Sequence, residues 1–215
     1  MVADEQGILR EGLVALLSRE PELSVVGVAH DGLECVRMVR QYRPDVVVMD
    51  VSMSGLNGIE AARRIASDMP ETRILFLTSQ QASTVVKGAF EAGGSGYLLK
   101  LCGFSELLRA LRAVLMGQIY LSPSVAHVIV GEYRASPSTR AEARVPSSVL
   151  TRREREIMQL LSEGHSTKAI AQRLHVSQKT VGTHREHIML KLNIGSIAEL
   201  TRYAIREGIT SLEVC

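Results

Sequence analysis

Tryptophan is absent, and aromatic residues make up only 4% of the chain. Pockets for apolar small molecules are lined largely by such rings, so no small-molecule ligand is expected. Cysteine is scarce as well. Cys35, Cys102 and Cys215 are odd in number, widely spaced and without a C-x-x-C pair, which indicates neither a disulfide framework nor a zinc site. No apolar run approaches the ~20 residues of a transmembrane helix, and no cleavable signal pattern opens the chain. The expectation is a cytoplasmic protein with no membrane partner.

The 215 residues suit two small domains, each able to bury a core. Net charge is only +2, but it is unevenly spread: residues 1–133 hold 12 Lys+Arg against 15 Asp+Glu, and residues 134–215 hold 13 against 8. An acidic half joined to a basic half suits a cation and phosphoryl site in the first and a polyanion partner for the second. The segment RASPSTRAEARVPSS, 134–148, has almost no large apolar residues and two prolines, so it reads as a flexible linker. The expected division is a first domain over 1–120, a connecting helix and linker over 121–148, and a second domain over 149–215.

The first domain is organised around Pro44-Asp45-Val46-Val47-Val48-Met49-Asp50. Four consecutive apolar residues after a proline, mostly β-branched and too few for a helix, read as a strand buried on both faces. Asp50 ends that run where a Gly- and Ser-rich loop begins. Such a carboxylate lies at the carboxyl edge of a sheet, where open α/β folds place ligand sites, although an Asp that starts a turn or caps a helix gives the same local pattern. Three other apolar runs end in a similar way: Met1-Val2-Ala3 in Asp4-Glu5, Ile74-Leu75-Phe76-Leu77 in Thr78, and Tyr97-Leu98-Leu99 in Lys100. If the strands are parallel, three carboxylates, a hydroxyl and an ammonium converge on one edge. That set would bind a hard oxygen-seeking cation and a phosphoryl group.

Between these runs the apolar spacing is helical. Gly7 to Arg19, Leu33 to Arg40, Gly58 to Met69, Ala82 to Ala92 and Ser105 to Met116 read as helices, with a further strand over Leu23 to Ala29. Five alternations of strand and helix give an α/β fold with a five-stranded, parallel, doubly wound, flavodoxin-like sheet. The first strand is short, with three residues before Asp4 against a usual ~5 to 6.

This pattern resembles the receiver domains of bacterial two-component response regulators, which carry an acid pair after strand one, an Asp after strand three, Thr or Ser after strand four and Lys after strand five. The resemblance implies that Asp50 accepts phosphate from a sensor histidine kinase, with Thr78 and Lys100 completing the catalytic set. It also implies Mg²⁺ as cofactor, held by Glu5, Asp50 and the backbone carbonyl of Ser52, with Asp4 acting through water. Thr78 and Tyr97 match the positions that switch on phosphorylation, although Tyr97 also reads as a core tyrosine at a strand start. Two residues depart from the family pattern. Glu5 is one methylene longer than the usual Asp, and Ser54 stands where proline is usual.

Leu150 to Ile209 reads as an all-α, four-helix unit. Thr151-Arg152-Arg153-Glu154 fits a capping box, Ser166 opens a short helix, His175-Val176-Ser177 is a tight turn, and Ser177 caps a helix over Gln178 to Leu192. The stretches LTRREREIMQLLSEG, STKAIAQRL, VSQKTVGTHREHIMLKL and ELTRYAIREG are similar to the LuxR-type helix-turn-helix domain, and the whole layout resembles the NarL/FixJ response regulators. DNA is then the expected partner. Lys179, Gly182, Thr183 and Glu186 fall on the arc opposite Val181, Ile188 and Leu192 and, with Thr180, are the candidates to meet DNA, with Gly182, Thr183 and Glu186 setting specificity. Lys168, Lys179, Arg185 and Lys191 are candidate phosphate contacts, and each also reads as a solvated surface charge.

The expected function is a phosphorylation-switched transcription regulator that forms a homodimer, and not an enzyme. The alternative is a phosphorylation-independent DNA-binding regulator with a degenerate receiver. A hydrolase using Asp50 as transient nucleophile would need a second acid and a lid over the substrate, and no such acid or long insertion follows Asp50. A small-molecule sensor with the same DNA-binding domain leaves the convergent acids unexplained.

Overall fold

The computed structural model describes residues 1–135 and 149–210. The chain divides into two compact units, Met1–Ala135 and Ser136–Cys215. Residues 136–148, which hold most of the expected linker, lie outside the described residues.

In the first unit the elements run β1 (Val2–Ala3), α1 (Gly7–Leu17), β2 (Val28–Ala29), α2 (Gly32–Tyr42), β3 (Val46–Met49), α3 (Gly58–Asp68), β4 (Arg73–Thr78), α4 (Ser83–Glu91), β5 (Gly96–Leu99), α5 (Phe104–Leu115), β6 (Tyr120–Leu121) and α6 (Pro123–Ala135). All strand pairs are parallel, in the order β2-β1-β3-β4-β5-β6. Consecutive residues of β3 face opposite sides, as strand geometry requires. Val47 and Met49 join a core with Cys35, Val39, Ile65, Phe76 and Tyr97, while Val48 joins the other with Leu13, Leu17, Leu75, Leu98 and Leu111. This explains the unbroken valine run: a strand covered by helices on both faces has no polar side to show.

Three expectations need correction. Among the described residues the sheet has six strands rather than five, because Tyr120–Leu121 adds a two-residue edge strand, too short to leave a period in the sequence. The strand expected over Leu23–Ala29 shrinks to Val28–Ala29, since β1 offers only Val2 and Ala3 to pair with it. The helix placed in the connector, α6, is seated on the first unit, with Val125 buried in its core and Ile129 packed against it.

The second unit contains α7 (Arg152–Ser162), α8 (Thr167–Arg173), α9 (Gln178–Leu192) and α10 (Ile197–Arg206). Each starts on a side chain that accepts from the third backbone N–H of its helix: Thr151 from Glu154, Ser166 from Ala169, Ser177 from Thr180 and Ser196 from Glu199. The Thr151–Glu154 capping box is closed in both directions. His175, at φ 54°, makes the left-handed turn between α8 and α9. Ile157, Leu160, Ile170, Val181, Ile188, Leu200 and Ala204 form one core, which fixes α9 by a single stripe and leaves its other side to solvent.

Candidate functional site

Strand order reverses direction between β1 and β3, and the crevice outside that reversal is where the acids emerge. The backbone sets the register. Asp50 N–H donates to the Ala3 carbonyl (2.9 Å), Asp4 N–H to Ala29 (3.2 Å), and Lys100 N–H to Thr78 (2.9 Å), so these strand ends finish at one edge. Asp4, Asp50 and Thr78 are buried, and the Lys100 side chain is only 9% exposed. Its Nζ lies 2.7 Å from Asp50 Oδ2, 2.9 Å from Asp4 Oδ2 and 3.3 Å from Gln6 Oε1. Asp50 Oδ1 accepts from Ser52 N–H (3.2 Å), and Asp4 Oδ1 from Gln6 N–H (2.8 Å).

Two buried carboxylates share one ammonium, and the ionisation behaviour reflects that imbalance. Burial raises the Asp4 pKa above the usual carboxylate range, the neighbouring Asp50 charge adds to the rise, and Lys100 opposes it without cancelling it. For Lys100 burial acts downward, yet the Asp50 and Asp4 charges outweigh it and hold the ammonium above its ordinary value. The raised Lys100 value, set by the two carboxylates against burial, marks a pocket in which two acids face one ammonium. With oxygen donors only, it suits an added hard cation.

The remaining expected residues are placed as follows. The Tyr97 side chain is buried, and its hydroxyl donates to the Gln80 carbonyl (3.1 Å) in the β4–α4 loop; burial and the Asp50 charge raise its pKa. Thr78 Oγ1 accepts from Gln80 N–H (3.4 Å), and Gln80 Nε2 donates to Ser52 Oγ (3.3 Å). Glu5 is not drawn into the Asp4–Lys100–Asp50 cluster: its Oε2 accepts from Ser54 N–H at 3.0 Å. Among the described residues, no three His, Cys, Asp or Glu side chains come together in a metal-holding group.

Several site residues escaped the sequence reading. Arg10 on α1 donates through Nη1 to the carbonyls of Asp4 (2.7 Å) and Glu5 (3.3 Å), pinning the acid loop. Gly58 opens α3 hard against the end of β3; a Cβ there would sit 2.0 Å from the Asp50 carbonyl oxygen, so no side chain fits. Glycine at the end of a turn hints at close approach, but nothing in the spacing of Arg10 or Gln80 points to their partners.

On α9, Lys179, Thr180, Thr183, Arg185 and Glu186 are exposed, Gly182 is half-buried, and Lys168 is exposed on α8. Thr180 is partly engaged, its hydroxyl 2.8 Å from that of the cap Ser177. Lys191 departs from expectation. Its Nζ binds both oxygens of Glu154, at 2.9 and 2.7 Å, so it clasps the capping box of α7 rather than standing free for phosphate. Burial acts to raise the Glu154 pKa, but Lys191 and the Thr151 bonds prevail and leave it below its ordinary value.

Known families match both units. Residues 1–112 match the response regulator receiver domain, and residues 148–204 match the luxR family of bacterial regulatory proteins. The chain belongs to the two-component response regulators. Among curated relatives, it is 36% identical to the oxygen regulatory protein NreC of Staphylococcus aureus, over 97% of each chain. It is 33% identical to the transcriptional regulatory protein DegU of Brevibacillus brevis, over 97% of this chain and 93% of that one. A crystal structure of a LuxR-family two-component response regulator from Aurantimonas sp. SI85-9A1 aligns with a TM-score of 0.60 and 41% identity, covering 63% of this chain and 96% of that one. This response regulator therefore joins a receiver to a LuxR-type DNA-binding domain; it is a transcription regulator and not an enzyme. Among its described residues no helix is long and apolar enough to cross a membrane.

Proposed function

We propose that this regulator is switched by phosphorylation of Asp50 from a sensor histidine kinase, and that the switch governs DNA binding by a homodimer in the cytoplasm. The observation that carries this reading is the contact of Lys100 Nζ with Asp50 Oδ2 at 2.7 Å inside a buried, acid-rich crevice. A carboxylate is a poor nucleophile toward an anionic phosphoryl group unless the charge between them is neutralised. Lys100 supplies one positive charge. Asp50 and the Ser52 carbonyl would hold Mg²⁺ together with Asp4, which takes the place expected for Glu5 because Glu5 Oε2 is engaged by Ser54 N–H, and the cation would supply the rest by drawing charge off the phosphoryl oxygens. As the bond from an Asp50 oxygen to phosphorus forms, the bond from phosphorus to the donor imidazole nitrogen breaks, and that nitrogen keeps the electron pair.

Thr78 and Tyr97 are the switch residues in this reading. Both are tied to Gln80, Thr78 by its Oγ1 and Tyr97 by its hydroxyl. Recruiting the Thr78 hydroxyl to a new phosphoryl group breaks the first bond, and the β4–α4 loop that holds the second moves with it. On DNA, α9 enters the major groove. Lys179, Thr180, Gly182, Thr183 and Glu186 face the bases and their flanking phosphates, while Lys168 and Arg185 neutralise phosphate.

The test is incubation with a small phosphodonor such as acetyl phosphate and Mg²⁺, followed by intact mass. One added phosphoryl group is expected in wild type and none in Asp50→Asn. Labelling that persists in the variant, or that survives a chelator added beforehand, would contradict the reading.

A further inference from the structure

The two departures from the family pattern, Glu5 and Ser54, meet in the structure. Glu5 Oε2 accepts a hydrogen bond from the backbone N–H of Ser54 at 3.0 Å. A proline at position 54 has no N–H to donate. The longer side chain at position 5 and the non-proline at position 54 are thus the two halves of one bond, and it crosses from the loop after β1 to the loop after β3.

We infer that Glu5 is a positioning residue: it straps the β3–α3 loop to the acid loop through Ser54 N–H, and the carboxylates that face the cation directly are Asp4 and Asp50. This rests on the Mg²⁺ reading above. Three observations carry it. The backbone of Glu5 is held by Arg10 Nη1 on the carbonyls of both Asp4 and Glu5, so the strap has a fixed anchor. The loop it grips contains Ser52, whose N–H donates to Asp50 Oδ1, so the position of the phosphoacceptor depends on the loop the strap holds. Asp4, not Glu5, shares Lys100 with Asp50, at 2.9 and 2.7 Å from its Nζ.

The strap ties the loop between Asp50 and α3 to the acid loop, which a proline at position 54, fixing only its own φ and donating no N–H, does not do. Its consequence for the cation is indirect. Loss of a group that orients the surroundings of a metal site weakens binding by about tenfold or more. Restoring the acceptor oxygen, even without charge, should restore binding.

The experiment titrates Mn²⁺ into the full chain by calorimetry, with hydrogen exchange of the Ser54 amide as a second readout. Glu5→Ala is expected to weaken Mn²⁺ by about tenfold and to speed Ser54 exchange. Glu5→Gln, which keeps an acceptor oxygen and leaves the backbone alone, is expected to stay within about threefold of wild type, with slow exchange. Ser54→Pro should weaken Mn²⁺ as Glu5→Ala does, and adding Glu5→Ala to it should cost nothing more, because both changes remove the same bond. Ser54→Ala keeps the N–H and should match wild type. A loss of about tenfold or more in Glu5→Gln, or a further loss when Glu5→Ala is added to Ser54→Pro, would make Glu5 a metal ligand and overturn the inference. Fast Ser54 exchange in wild type would also overturn it. Failure of wild type to bind Mn²⁺ at all would instead sink the cation reading, while the exchange data would still decide whether the strap exists.

Discussion

At the edge of the sheet, Asp4, Asp50 and Lys100 have side chains no more than 9% exposed and bonded to one another, whereas on α9 the side chains of Lys179, Thr183, Arg185 and Glu186 stand in solvent. On the proposed function, the contrast follows from what each site has to meet. A phosphoryl group is small and highly charged, so the chain must supply nearly all of its surroundings, and the supporting groups are buried and mutually satisfied. A duplex brings its own phosphates and base edges, so a helix that reads it keeps most of its side chains uncommitted to other elements; Thr183 donates only to the Lys179 carbonyl of the same helix, at 3.2 Å. Lys191, though exposed on α9, is already occupied, by Glu154.

Breaking the buried cluster should produce the largest effect. Lys100→Met leaves Asp4 and Asp50 facing each other without a counter-charge, which is expected to destabilise the first unit by about 3–5 kcal/mol near neutral pH. Urea unfolding of wild type, Lys100→Met and the Lys100→Met/Asp50→Asn pair measures it. The double variant should recover most of the loss, since it removes the repulsion; no recovery would show that repulsion between the two carboxylates is not its source.

The clasp on α7 is the next largest. Lys191→Met is expected to cost the second unit about 1–2 kcal/mol, less than a fully buried pair because the lysine side chain is 37% exposed. Glu154 fixes the pH dependence. Its folded pKa is depressed below the ordinary 4.5, so its contribution is fully present above that value and is lost as pH falls through the folded pKa. Thermal unfolding of residues 149–215 between pH 7 and pH 3 should therefore show a steeper acid loss in wild type than in Lys191→Met.

Smaller still is Gly182→Ala. A Cβ at Gly182 would meet nothing within 4 Å, so the substitution should stabilise α9 by about 0.5–1 kcal/mol, the helix propensity difference. If that open space is where DNA backbone or bases approach, the same variant should lower operator affinity. Equal affinity at equal salt would place Gly182 against solvent. The finest distinction is in salt dependence. Lys179→Met should flatten the slope of log affinity against log salt by about one unit, and Lys191→Met should leave it unchanged. A flattened slope for Lys191→Met would mean that it leaves Glu154 for a phosphate on binding.

How much of this was legible in the sequence depended on whether a residue's role was set by its place on an element or by a partner far along the chain. Asp50, Thr78 and Lys100 end apolar runs, and parallel strands bring run ends to one edge, so their convergence could be read directly. Capping at Thr151, Ser166 and Ser177 is local and was equally plain. The Glu5–Ser54 bond spans 49 positions, and the Lys191–Glu154 clasp spans 37. Neither leaves a period, and a lysine on the polar side of a reading helix looks the same whether it serves phosphate or a carboxylate. Tyr120–Leu121 was missed because two residues cannot display alternation.

The most direct test compares DNA affinity of the full chain before and after treatment with acetyl phosphate and Mg²⁺, at fixed salt, on a duplex selected by residues 149–215. Wild type should change its affinity on treatment and return to its starting value as the acyl phosphate hydrolyses, while Asp50→Asn should bind the same before and after. An identical response from Asp50→Asn and wild type would contradict control of DNA binding through Asp50.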